Sequence, residues 1–381
     1  MSFDHNRDFL NAPKVRLGDY IKRSTVNNKD EKYGIELIEG VTNEGVFSQP
    51  KGNPMDVDLK PYKIVNNGAF VYNPSRLDLG SIAYRTDGLC IVSHLYIVFY
   101  LNDEGKKKID PYWLFMYFRR DEFYREVTFR NFGSQRPEFN FNDMSDIMIP
   151  LPDISSQRKY VAIYKTMVTN QQSYERGLED LKLTFDALID EIKHKATLKF
   201  VCELLQEVDN RNDDGAITDV HGINITKQFM PSVADTNGID LRKYKLVKKN
   251  QFAFSGMQTG RDECIRIALN KNDTPVIISP AYTVFEVKDK SMLEEYIMMW
   301  FSRKESDRRG WFMSDSSIRS NLDLDRFYEI QIPVLDEKTQ KSIVEIFNVY
   351  TARRNINEQL KTQIKDICPI LIRGSLEEGK A

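Results

Sequence analysis

The sequence predicts an α+β fold: two mixed α/β domains separated by two long antiparallel coiled-coil helices, with an internal pseudo-two-fold repeat. Three observations carry this. Residues 147–163 read IMIPLPDISSQRKYVAI and residues 330–346 read IQIPVLDEKTQKSIVEI, 183 residues apart (330 − 147) in a chain of 381. A heptad-spaced apolar seam follows each passage. The strands do not alternate with helices in βαβ fashion and no GxGxxG run is present, which argues against a doubly wound nucleotide-binding sheet. Solenoid repeats span roughly 20–50 residues, so this period means two copies of one domain-plus-helix unit. The boundaries fall at 1–153, 154–196, 197–335 and 336–381.

The two copies run in parallel along their length. VRLGDYI at 15–21 matches LKFVCELL at 198–205, setting Leu17 opposite Phe200. PYKIVNNGAFVYNPS at 61–75 matches KYKLVKKNQFAFSGM at 243–257; each reads as a strand, a polar turn and an aromatic-rich second strand. SHLYIVF at 93–99 matches SPAYTVF at 279–285 as an alternating strand. PYWLFMYFRR at 111–120 matches EYIMMWFSR at 295–303, and Trp113, Met116 and Tyr117 predict an amphipathic helix. FGSQRPEFNFNDMSDIMIPLP then matches SDSSIRSNLDLDRFYEIQIPV, with Arg136 opposite Arg319.

The first long helix carries Tyr160, Tyr164, Met167, Gln171, Tyr174, Leu178, Leu181, Phe185, Leu188 and Ile192 in alternating steps of four and three. At 1.5 Å per residue it is roughly 55–60 Å long, too long for the core of a small domain. The second carries Ile343, Ile346, Phe347, Tyr350, Leu360, Ile364, Ile367 and Leu371, and Pro369 ends or kinks it. Each has a polar middle, TNQQS at 169–173 and RRNIN at 353–357. Antiparallel pairing lets these layers meet and fix the register.

Composition narrows the function. Basic and acidic residues balance, 54 against 56, which excludes a general polycation but not local basic faces. MSFDHNRDFLNAPKV has no signal-peptide pattern, and the densest apolar stretch, 112–118, is far short of a membrane span, so the expectation is a cytoplasmic protein with no membrane contact. Cys90, Cys202, Cys264 and Cys368 have no CxxC spacing and stand apart from His5, His94, His194 and His221, which leaves no zinc motif.

Catalytic motifs are missing. Asn73-Pro74-Ser75 lacks the second proline and the aromatic of an adenine methyltransferase motif, and reads as a turn after a strand. Asp336-Glu337-Lys338 has the wrong spacing for a metal-dependent nuclease and sits where a helix start favours acids. There is no P-loop and no GxSxG. The sequence therefore predicts a non-enzyme with no cofactor or metal of its own.

A binding surface is the better reading. Between 106 and 136 eight basic residues face four acids, and between 299 and 319 five face three. Such runs are usually solvated faces, but these recur at matched places. Two loops per copy stand out. GSQR at 133–136 matches SSIR at 316–319, with small residues for close approach to phosphate and an Arg able to fork onto guanine; the bland reading is a turn before the last strand. YNPSRLDLGS at 72–81 corresponds to FSGMQTGRDE at 254–263 and differs in sequence, as two different half-sites would require, although drift also produces divergence. The candidate nucleic-acid contacts are Tyr72, Asn73, Ser75, Arg76, Lys106, Lys107, Arg130, Ser134, Gln135 and Arg136 in the first copy. In the second they are Ser255, Gln258, Thr259, Arg261, Arg308, Arg309, Ser316, Ser317 and Arg319.

Together these residues resemble the specificity (S) subunit of type I restriction-modification systems, over almost the whole chain. The resemblance rests on Ile149-Pro150-Leu151-Pro152 with Gln157-Arg158, Ile332-Pro333 with Gln340-Lys341, the GSQR/SSIR element and the two long helices. Val334-Leu335 departs from the Leu-Pro of the first copy. The resemblance implies two target-recognition domains, each reading half of a split site in double-stranded DNA. It implies helices that set the spacing and dock two methyltransferase subunits. S-adenosylmethionine, ATP and Mg would sit in partner subunits, including restriction/translocase subunits, within a phage-defence system that methylates DNA. Two other readings stay open: the DNA-recognition subunit of a restriction class whose partner fuses methyltransferase and nuclease, and a coiled-coil scaffold with two protein-binding heads.

Overall fold

The computed structural model of the chain describes residues 13–50, 57–131, 138–232, 238–315 and 320–378. The chain divides into two compact units, Met1–Glu175 with Ile356–Ala381, and Arg176–Asn355. The division falls inside both long helices, Ile154–Lys195 and Glu337–Asp366. Each unit thus holds one head and a stretch of helix from each copy.

The heads share a frame. In the first, a four-stranded antiparallel sheet runs in the order Ile21–Ser24, Ile97–Leu101, Phe70–Tyr72, Ile82–Tyr84. In the second the order is Leu205–Val208, Thr283–Val287, Phe252–Ser255, Arg266–Leu269. Strand alternation divides the side chains. Phe70, Tyr72, Ile97 and Phe99 point into a core shared with helices, while Val71, Ala83 and Val98 pack on the other side with Val65 and Val92 of a smaller sheet. Phe252, Phe254 and Phe285 repeat the first pattern, and Ala253, Ala268 and Val284 the second. Both faces of the inner strands are covered, which is why Phe70–Tyr72 and Phe252–Ser255 are buried throughout, whereas the edge strands Ile21–Ser24 and Leu205–Val208 carry exposed polar residues.

A two-stranded antiparallel pair closes each head where its long helix begins: Lys14–Arg16 on Met148–Pro150, and Thr197–Phe200 on Gln331–Val334. Its register corrects one expectation. Lys14 pairs with Pro150 and Leu198 with Pro333. The Leu17 N–H bonds the Ile147 carbonyl, and the Val201 N–H bonds the Ile330 carbonyl. Leu17 is therefore matched by buried Val201, not by Phe200, which is 43% exposed. A second correction concerns the helix Pro111–Phe118. It is not amphipathic: Trp113, Leu114, Met116, Tyr117 and Phe118 are buried, and the remaining side carries Tyr112 and Phe115, half-buried against the same core, rather than polar residues.

The long helices pair antiparallel. In the first unit, Val161 and Tyr164 share a core with Leu371 and Ile372, and the polar middles meet as the seam predicts. Gln171 Nε2 donates to Asn357 Oδ1 at 3.0 Å and to Glu175, and Lys361 Nζ lies 2.6 Å from Glu175. Gln171 and Asn357 are buried, and this layer resists a register slip because a slip would strand both amides. In the second unit Phe185 packs on Phe347, ring centroids 5.6 Å apart. The second helix stops at Asp366 and a new helix, Cys368–Glu378, starts with Pro369 in its first turn.

One side chain per copy joins helix to head. Buried Gln157 accepts the Asp110 N–H at 2.8 Å and donates to the Lys108 and Pro152 carbonyls, both at 2.8 Å. Buried Gln340 accepts the Leu293 N–H at 2.8 Å and donates to the Ser291 and Leu335 carbonyls at 2.7 and 2.8 Å. Replacing either with Leu keeps the volume but leaves three backbone groups at a largely buried junction without that partner. Each such group costs about 1–3 kcal/mol, so Gln157→Leu or Gln340→Leu should lower the unfolding free energy by several kcal/mol in denaturant titration.

Asp153 and Asp336 cap the two helices. Asp153 accepts from the Ser155 and Ser156 hydroxyls and amides, and Asp336 from Thr339, which holds both carboxyls below the usual carboxylate range. A depressed carboxyl stabilises fully above its unfolded value, about 3.9, and the gain disappears as pH falls through the folded value. Asp336→Ala should therefore melt below the wild type at pH 7, with the gap closing on acidification below about pH 4.

Candidate nucleic-acid interface

In each copy the loop after the third strand of the four-stranded sheet is bonded to the chain that follows the GSQR or SSIR segment. In the first head, residues 73–80 leave the strand Phe70–Tyr72. The Asn73 side chain accepts the Ser75 N–H at 3.0 Å, and a short helical turn, Leu77–Leu79, ends at Gly80, whose φ of +96° suits glycine. Arg119, itself buried, donates to the Gly80 carbonyl at 2.7 Å and the Asn43 carbonyl at 3.1 Å, pinning the loop from below. The Phe139 N–H bonds the Pro74 carbonyl at 3.0 Å, bringing the chain that follows 132–137 against this loop.

The second head makes the same join with different residues. The Leu322 N–H bonds the Gly256 carbonyl at 2.8 Å, the Gly260 N–H bonds the Ser320 carbonyl at 2.8 Å, and the Gln258 N–H bonds the Asn321 side chain at 3.0 Å. Gln258 and Glu263 hold positive φ at the two ends of the turn Thr259–Asp262. That turn packs against the helix Lys304–Met313, where Gly310 leaves room for Thr259 and Ile265. Beneath it, buried Lys227 donates to Asp307 at 2.6 Å and to the Ile265 carbonyl at 2.7 Å, beside Cys264, whose thiol burial pushes up. Sequence reasoning missed this lysine, which lies in the turn between the hairpin strands Val220–Ile223 and Phe229–Pro231.

The candidates divide by position. Asn73, Ser75 and Arg76 lie on the first loop, and Gln258 and Arg261 on the second, at least partly exposed. Arg308 and Arg309 are exposed on the adjacent helix; Arg308 pairs with Glu305 at 3.1 Å. Arg130 is held by Glu126 through two hydrogen bonds of 3.0 and 2.7 Å. Lys106 and Lys107 sit on a separate short helix, Asp103–Lys108, whose last carbonyl is bonded by Gln157. Lys107 there pairs with Glu104 at 2.7 Å, which raises its pKa. Tyr72, Ser255 and Thr259 differ from expectation: all three are buried and act as scaffold. Burial pushes the Tyr72 phenol well up, and Thr259 donates to the Gly256 carbonyl at 3.1 Å. Their positions in strand or turn put them inward, which loop composition could not reveal. Ser134, Gln135, Arg136, Ser316, Ser317 and Arg319 lie outside the described residues.

No group of three or more His, Cys, Asp or Glu side chains suited to a metal occurs among the described residues. An open groove of about 1120 Å³ in the second unit is lined by charges of both signs, including Lys227, Arg303, Arg354, Asp186 and Glu295. No helix among the described residues is long and apolar enough to cross a membrane.

A duplicated head, each copy built on a matched frame and followed by a long helix, defines a protein made of two repeated head-plus-helix units. Comparison with known proteins makes the class specific. The sequence matches the type I restriction modification DNA specificity domain twice, over residues 5–181 and 206–366, and the chain belongs to that family. It is a non-catalytic specificity subunit of a DNA-binding restriction system, in a family that carries no cofactor itself. Its fold is similar to the type I restriction-modification S subunit from M. genitalium, at 13% identity, TM-score 0.55 and 98% coverage of both chains. It also aligns with the HsdS subunit from Thermoanaerobacter tengcongensis, at 15% identity, TM-score 0.39 and 96% of each chain. A third alignment is to a chain from work on complex assembly and conformational transition of a type I system, at 15% identity, TM-score 0.49, covering 95% of this chain and 98% of that one. A comparison with curated protein sequences gave no match.

Gly256 tests the loop join. A Cβ there would strike the Leu322 carbonyl. Gly256→Ala should break the Leu322 bond and destabilise the second head by about 1–3 kcal/mol, the usual range for overpacking, read by unfolding of the intact chain.

Proposed function

We propose that each head reads one half of a bipartite site in double-stranded DNA, and that the paired helices set the distance between the halves. The observation that carries this is the matched join with unmatched residues. The backbone bonds Phe139–Pro74 and Leu322–Gly256 make the same join in both heads, yet the loops they tie down read NPSRLDLG and GMQTGRDE. One frame with two different reading edges fits a ligand with two different halves. Arg76, Arg261 and Arg309 supply phosphate contacts; Asn73 and Gln258, with Arg136 and Arg319 of the GSQR and SSIR segments, read base edges.

In this reading the long helices also dock two methyltransferase subunits. Those bring S-adenosylmethionine, while restriction/translocase subunits bring ATP and Mg, all in the cytoplasm. The family membership supports a division in which this chain contributes sequence choice alone.

The direct test is mapping methylated sites in DNA from cells carrying the chain with its methyltransferase. A split motif is expected, and exchange of one head should change one half only. Methylation at unsplit sites, or at both halves after a single exchange, refutes the reading. Arg136→Ala and Arg319→Ala should each relax one half-site, at about 1–3 kcal/mol for a bidentate base contact. Arg309→Ala should weaken binding across sequences and lower the salt slope by about one. An unchanged slope removes Arg309 from the phosphate set.

A further inference from the structure

Each head buries one cation where a hairpin turn, the end of the loop that leaves the sheet, and a head helix meet. The hairpins Gly40–Val41 with Phe47–Ser48, and Val220–Ile223 with Phe229–Pro231, close through the same five-residue turn. The Thr42 N–H bonds the Val46 carbonyl and the Gly45 N–H bonds the Thr42 carbonyl. In the second head the Asn224 N–H bonds the Gln228 carbonyl and the Lys227 N–H bonds the Asn224 carbonyl. Gly45 and Lys227 are therefore one position, and both hold positive φ, +75° and +62°. The sheet registers match the loop ends as well. Ile82 pairs with Tyr72 and Ile267 pairs with Phe254, so the carbonyls of Gly80 and Ile265, each two residues earlier, are equivalent. On the helix side, Arg119 and Ser302 cap the C-termini of the matched helices Pro111–Phe118 and Glu294–Phe301. Tyr124 and Asp307 each stand fourth in the helix that follows, Asp121–Arg130 and Lys304–Met313.

The charge is common to both heads, but the residue that brings it comes from opposite sides. In the first head the helix end supplies it: Arg119 donates to the Gly80 carbonyl at 2.7 Å, and its guanidinium lies 6.0 Å from the centre of the Tyr124 ring. In the second the hairpin turn supplies it: Lys227 donates to the Ile265 carbonyl at 2.7 Å and to Asp307 at 2.6 Å. The complementary positions are small, Gly45 in the first head and Ser302 in the second. A Cβ at Gly45 would stand 2.7 Å from Arg119 Nη1, so a side chain there and Arg119 exclude each other. Lys227 occupies a backbone conformation that glycine takes at no steric cost, and burying either cation costs desolvation. Unconstrained drift discards a costly buried charge; here two unmatched residues deliver it to one carbonyl. What the heads hold in common is a charged donor on the carbonyl that ends the loop. Such a bond is stronger than a neutral one and fixes the carbonyl before any ligand arrives.

We infer that Arg119 and Lys227 are positioning residues for half-site selectivity. Each fixes the exit of its loop, so that Asn73 and Arg76 in one head, and Gln258 and Arg261 in the other, meet DNA in a single geometry. Neither cation touches DNA itself, since both are buried. The inference rests on the half-site reading above.

The test maps methylated sites in cells carrying the full chain with its methyltransferase, and measures binding of the purified complex to duplexes with single-base changes in either half. Lys227→Gly should narrow the preference for the cognate second half about tenfold. The first half and the salt slope should stay as in the wild type. Adding Ser302→Arg brings the cation from the side the first head uses, and should restore the preference. Arg119→Ser should loosen the first half alone, with Gly45→Lys as its rescue. Lys227→Gly combined with Asp307→Asn removes charge and counter-charge together and keeps an acceptor for the Ile265 N–H, so the result is readable even where Lys227→Gly alone does not fold. Wild-type second-half preference in a charge-free variant, even one that melts lower, overturns the inference. So does a rescued melting temperature without a rescued preference. A fall in the salt slope makes the lysine a phosphate contact and overturns it too. Split-site methylation by the wild type with every variant unchanged overturns this inference alone; no split site even in the wild type sinks the half-site reading beneath it.

Discussion

The arrangement of each head depends on a buried primary amide. Gln157 and Gln340 each bond one backbone N–H and two backbone carbonyls, tying the start of a long helix to the start of a head helix and to the turn before it. An amide side chain supplies one acceptor and two donors from one planar group, which neither a carboxylate nor an apolar residue does. The groups it satisfies are the orphans that helix starts and turns leave behind, and in a dry junction each would be costly alone. The orientation of the long helix against its own head follows from this clamp. The Ile-Pro strand ahead of it, paired to the first strand of the same head, supplies the second fixed edge.

On that frame the chain spends its variation unevenly. The four-stranded sheets keep aromatic residues toward the helices and small residues toward the second sheet, because strand alternation leaves no other way to bury both faces. The edges that border the loops use different devices for one purpose. Arg119 ties down the first loop through Gly80, and Lys227 with Asp307 anchors the helix beside the second. Equivalent loops are thus held rigidly by unrelated contacts, which leaves their outward residues free to differ.

Much of this was legible in the residues. The IPLP and IPVL passages marked the clamp, since an apolar strand, a proline and a polar turn ahead of a heptad seam can only be a strand running into a helix. The polar middles marked the layer in which Gln171 meets Asn357. The candidate contacts were read less well. Tyr72, Ser255 and Thr259 have surface-like chemistry but face inward, because the phase of a strand or turn is set by what pairs with it. Leu17 was matched with Phe200 instead of Val201 because one residue of slip is invisible until the register with Ile147 and Ile330 is known. The helix Pro111–Phe118 looked amphipathic because its apolar residues were counted without knowing that a helix ending at Glu378 covers its far side.

By itself the sequence determined the duplication, the α+β class, the antiparallel helix pair and the family, because these follow from periodicity and from local turn and strand chemistry. Tertiary structure decided which distant segments tie each loop down and which of the loop side chains face outward. Those depend on hydrogen bonds between segments tens to hundreds of residues apart, such as Phe139 to Pro74 and Trp113 to Ser375, and no local pattern encodes them.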